Sequence, residues 1–144
     1  DLPPQVFATQ ALWFDIPEKA VDLILKDRLD FPGAIHAVEH TAIGLLPMFA
    51  LCDRNDIGGL STPMHQDTGR PAIFIYDGHP GGIGIVEKGY EILEDLWRAT
   101  LSVLQECPCE FGCPGCVHSP KCGNNNEPLD KKAASVLLEE LLSA

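Results

Sequence analysis

Five cysteines crowd the stretch CPCEFGCPGCVHSPKC, at Cys107, Cys109, Cys113, Cys116 and Cys122. Thiolates are soft ligands suited to zinc, and four of them complete a tetrahedral structural site. Cys113-Pro-Gly-Cys116 is a tight two-ligand turn, in which proline fixes one dihedral and glycine permits the reversal. We expect Cys109, Cys113, Cys116 and Cys122 to be the ligands. The reason is period-two alternation: one extended residue between Cys107 and Cys109 would point their sulfurs apart. On this reading Cys107 is spare and packs where a long helix ends. Exchange of Cys107 for Cys109 is the main alternative, and His118 is a remoter one. Four thiolates leave no open position for water, so the metal holds the fold and catalyses nothing. An iron–sulfur cluster also takes four cysteines and ranks below zinc. Disulfides fit less well, because disulfide frameworks spread cysteines along a small secreted chain. Crowding into one loop fits a reduced, cytoplasmic protein. Cys52 stands alone and reads as a small buried hydrophobe.

A second pattern is HAVEH, which sets His36, Glu39 and His40 as H-x-x-E-H. Histidines at i and i+4 share a helix face and can grip zinc, with the glutamate as general base. The pattern is short, and no third ligand is identifiable. A metallohydrolase built on these residues is therefore an alternative. The plainer reading is a buried polar cluster, satisfied by backbone or by Asp53 or Asp56. The glycines of IFIYDGHPGGIG lie between a strand and a helix. Their order matches neither a dinucleotide fingerprint nor a P-loop, so they read as a tight turn with room for a phosphate contact.

These residues need a scaffold. The chain has 144 residues and no apolar run long enough to span a membrane. That length fits one domain over residues 1–144, with a metal loop at about 107–126. The start DLPPQVF lacks a methionine and reads as a piece of something larger. Strands are expected in QVFATQALWFDIP and AIFIYD, with a short one near Leu60. Helices are expected in PEKAVDLILKDRL and GAIHAVEHTAIGLLPMFALC, where Pro47 would kink or end the helix. IVEKGYEILEDLWRATLSVLQEC reads as one long helix, and CGNNNEPLDKKAASVLLEELL as a last one, with asparagines suited to capping, Pro128 early in the helix and Asp130 in its first turn. The fold class is α+β: a small, mostly antiparallel or mixed sheet packed on several helices, the cysteine loop lying between the last two. The formal net charge of −11 argues against wrapping nucleic acid by charge alone.

Together HAVEHTAIGLLP, DIGGLS, IFIYDGHPGGIGI and CPCEFGCPGCVHSPKCGNNNEPLDKKAA resemble the zinc-binding C-terminal domain of the mitomycin repair factor A type of DEAD/DEAH-box DNA helicases. The likeness runs from about Phe31 to Ala134. It implies bound Zn2+ on four of the cysteines and a parent that is an ATP-dependent 3′→5′ DNA helicase of DNA repair. This stretch has no Walker A lysine and no D-E-x-H box, so ATP and Mg2+ belong to motor domains elsewhere. The implied role is an accessory domain that docks on the motor and helps guide or enclose single-stranded DNA. Lys121, Lys131, Lys132, Arg70 and the glycine turn are the candidate DNA contacts. Tyr76 and Asp77 match motifs without an assigned chemistry. A free-standing zinc-dependent interaction module is the remaining alternative.

Overall fold

The structure, a computed structural model, describes residues 11–50, 56–64, 69–78, 84–110, 112, 113, 115–118, 126 and 128–143. Among them are three strands, β1 (Ala11–Asp15), β2 (Ile57–Thr62) and β3 (Ala72–Asp77). Five helices complete the set: α1 (Glu18–Lys26), α2 (Phe31–Ala50), α3 (Ile85–Glu91), α4 (Leu93–Glu106) and α5 (Lys131–Ser143). The sheet order is β1-β3-β2, and both pairings are antiparallel. Alternation puts Leu12, Phe14, Ile73 and Ile75 inside, leaving Trp13, Leu60 and Tyr76 on the open face. Fold class and sheet type are as expected from the sequence.

Helix α2 is the frame on which most of the other elements pack. It touches β2, α3, α4 and α5. Ala34, Ile35, Ala37, Val38, Ala42 and Leu46 on it are almost wholly buried, as an all-round apolar helix must be. The helix continues through Pro47 to Ala50 instead of ending there. The expected long helix after the glycine turn is two helices, α3 and α4, meeting at Ile92 with φ −109° and ψ 20°. Backbone bonds still cross the junction, from Ile92 N–H to Lys88 O (3.1 Å) and from Leu96 N–H to Ile92 O (2.9 Å). One residue leaves helical geometry and the ladder survives. Both parts pack on α2, but α3 also lies against the sheet and α4 against α5.

The starts of α2 and α5 are joined by two aspartates. Asp30 Oδ1 accepts from Gly33 N–H at 3.0 Å, and Asp130 Oδ1 accepts from Ala133 N–H at 3.0 Å. Each side chain satisfies a donor that the helix itself leaves orphaned. Asp30 N–H also donates to Asp130 Oδ2 at 2.9 Å, and Asp130 N–H to Gly33 O at 3.0 Å. Gly33 is small for a reason: a Cβ there would lie 2.9 Å from the Asp130 backbone nitrogen.

Candidate metal centre

Helix α4 ends at Cys107, whose backbone turns extended at φ −69° and ψ 125°. The chain then doubles back through a turn in which Cys116 N–H and His118 N–H both donate to Cys113 O, at 3.0 and 3.2 Å. The result gathers Cys107, Cys109, Cys113 and Cys116, whose sulfurs all lie within 4.8 Å of one another. Cys107 Sγ is 3.5 Å from Cys109 Sγ and 3.4 Å from Cys113 Sγ. Cys116 Sγ is 3.5 Å from Cys109 Sγ and 3.9 Å from Cys113 Sγ. Such gaps are far too long for disulfides. Four sulfurs at about 2.3 Å from one zinc would sit roughly 3.8 Å apart, so the donor set fits a tetrahedral thiolate ion.

Cys109, Cys113 and Cys116 were expected together. Cys107 was expected to stand apart, and here the structure differs. Alternation separates side chains only along a continuing strand, whereas Cys107 is the cap where a helix gives way to extended chain. Cys122 lies outside the described residues, as do Cys52, Asp53, Lys121 and 79–83 of the glycine turn.

Electrostatics in the cluster are uneven. The ammonium of Lys131 beside Cys109 lowers that thiol to about 6, aided by its sulfur neighbours. Burial, together with Cys109, pushes Cys116 up to about 12. The bond from Cys107 raises Cys113. Thiols so close cannot all carry negative charge unaided, and a divalent cation among them removes that conflict.

The surrounding main chain is held by donors on other elements. His40 Nδ1 donates to Val117 O at 2.7 Å, and Thr41 Oγ1 donates to Cys116 O at 3.0 Å. His36 Nδ1 donates to Pro128 O at 2.7 Å. A carbonyl only accepts, so both histidines carry their proton on Nδ1. Their rings meet edge to face, centroids 4.1 Å apart. Burial drops His40 to about 4, opposed by the Val117 bond and reinforced by His36 and His118. Glu39 faces β2 instead. Burial lifts it to about 7, against a hydrogen bond from Ser61. The HAVEH pattern is thus a buried polar cluster, as its plainer reading has it, and its partners include backbone carbonyls and Ser61. Among the described residues the four cysteines are the one group of three or more side chains placed to share an ion.

Sequence reasoning missed Lys131. It was set among possible DNA contacts, yet its ammonium is buried against the cysteine loop. The sequence set Pro128 and Asp130 inside this helix, whereas α5 opens at Lys131, where the dipole disfavours a cation. Arg70 is exposed and 3.7 Å from Asp15, and Lys132 is exposed. Asp77 is wholly buried, and the ring of Tyr76 lies across Gly58.

Fold and site together define an α+β domain organised by a four-cysteine centre. A family model described as the MrfA Zn-binding domain matches residues 38–117, and the chain belongs to that family. It is 44% identical over 112 residues to an uncharacterized protein of Methanocaldococcus jannaschii, covering 76% of this chain and all of that one. It is 32% identical to the ATP-dependent helicase HRQ1 of Saccharomyces cerevisiae, over 97% of this chain and 14% of the yeast protein. The uncharacterized ATP-dependent helicase YprA of Bacillus subtilis is 33% identical over 81% of this chain and 15% of its own. The chain thus spans about a seventh of these two helicases. A crystal structure of the DUF1998 helicase MrfA bound to DNA superposes with TM-score 0.65 and 30% identity, over 98% of this chain and 18% of that one. Among the described residues, no helix is long and apolar enough to cross a membrane.

Proposed function

We propose that this chain is the zinc-stabilised accessory domain of an ATP-dependent 3′→5′ DNA helicase acting in DNA repair. The domain docks on the motor domains and helps guide or enclose single-stranded DNA, while ATP and Mg2+ act in the motor. Bound zinc supplies a cross-link and no chemistry. The observation that carries this reading is the group of four sulfurs within 4.8 Å, in a chain that aligns almost whole with part of a named helicase. We assign the ligands to Cys107, Cys109, Cys113 and Cys116, in place of the set with Cys122 and without Cys107. Crowded free thiols suit a reducing cytoplasm. The net charge of −11 favours docking on protein over gripping phosphates.

The test has two arms. Purified chain should hold one zinc, lost together with loop structure in Cys107→Ser and Cys116→Ser, because metal binding and folding are coupled. Zinc retained in Cys107→Ser but lost in Cys122→Ser would restore the other ligand set. In the second arm, a full-length helicase containing this domain is assayed for DNA-stimulated ATPase and unwinding, with and without it. Unwinding that survives deletion at full rate refutes the guiding role. The archaeal relative, matched over its entire length, favours one other reading: a free-standing zinc-dependent interaction module. Absence of motor motifs in the surrounding reading frame would select it.

A further inference from the structure

Lys131 opens α5, where a positive charge meets the positive end of the helix dipole. Lysines are rarely buried, yet this one is 8% exposed. Among the described residues no ion pair joins it to a carboxylate. Its ammonium instead donates to Cys107 O at 2.9 Å, to Cys109 O at 2.7 Å and towards Cys109 Sγ at 3.1 Å. All three donor hydrogens of the group are thereby used. Two of the acceptors are the carbonyls that flank the Cys107–Cys109 link, which must bend for both sulfurs to face one ion. A residue that breaks the rules of helix starts and of burial usually gains something at a site.

We infer that Lys131 is a positioning residue of the metal centre, clamping the Cys107–Cys109 turn through its two carbonyls and bonding Cys109 Sγ. The inference rests on the zinc reading above. A tetrathiolate zinc carries two net negative charges, and the ammonium offsets one of them. Outer-shell partners of this kind commonly change metal affinity 10- to 100-fold. Asp130 sits next to Lys131 and binds the start of α2, so the same helix end fixes both the frame and the metal loop.

The test compares wild type, Lys131→Gln and Lys131→Arg in the whole chain. Zinc transfer to a chromogenic chelator is timed well below the melting temperature, and the charge-transfer bands of the Co2+-substituted forms are recorded. Lys131→Gln should still bind one metal but release it roughly tenfold faster, with shifted sulfur-to-cobalt bands. Lys131→Arg, which keeps the charge, should release within about threefold of wild type. Equal release rates and superimposable cobalt spectra in all three overturn the proposal. So does a glutamine variant that merely melts lower while its release rate and spectrum stay unchanged. Wild type without zinc would sink the metal centre itself, an outcome separate from either.

Discussion

Glu39 offers a pH test of the buried cluster. The side chain is 7% exposed, and burial raises it from 4.5 to about 7. The unfolded chain therefore ionises this carboxyl first, and between those values the folded state binds the extra proton. Linkage then fixes the sign: Glu39 contributes most in acid, and its contribution falls as pH rises from 4.5 to about 7. At about 1.4 kcal/mol per unit the whole shift is on the order of 3 kcal/mol. Thiolate sites release zinc in acid, so the useful window is pH 5.5 to 8, which holds roughly 2 kcal/mol of it. Glu39→Gln keeps the shape and cannot ionise. Urea unfolding of both proteins, zinc-loaded, should show the glutamine form gaining about 2 kcal/mol on wild type across that window. His40, lowered to about 4, acts oppositely, costing stability as pH falls below 6.5, but it is common to both proteins and cancels in the difference. A difference that does not change with pH, or one that grows towards acid, refutes the reasoning.

Two other substitutions probe the frame. Gly33→Ala would press a methyl against the Asp130 backbone nitrogen at 2.9 Å and should cost about 1–3 kcal/mol by differential scanning calorimetry. His40→Ala removes the bond to Val117 O and a buried ring, and should cost about 2–4 kcal/mol. Its zinc content should stay at one per chain, because the histidine holds the loop and not the ion; a lost second metal would revive the hydrolase reading.

Elements with a single strong pattern were legible from sequence. The β-branched run of β3, the apolar helix α2 and the amphipathic α5 form as their side chains dictate. Local spacing also drew attention to the cysteine loop, where Cys109, Cys113 and Cys116 do lie together. What escaped depends on direction and on distance in the chain. Whether Cys107 turns towards Cys109 depends on how α4 terminates, and a spacing rule written for strands does not contain that. The division at Ile92 rests on one residue's dihedrals, which periodicity does not encode. The partners of His36 and His40 lie 92 and 77 residues away, and main-chain carbonyls leave no trace in residue type.

That last point bears on how the loop can change. The donors gripping it from outside, His36, His40, Thr41 and Lys131, address the carbonyls of Pro128, Val117, Cys116, Cys107 and Cys109. Every residue has a carbonyl, so these bonds are indifferent to the side chain at each point. The placement of the loop's described residues is thus set by α2, α5 and the sulfurs, leaving the exposed side chain of Glu110 free to diverge. A loop held in this manner can acquire new surface chemistry without losing its shape, and can be exchanged between relatives as a cassette provided the four outside donors travel with the cysteines.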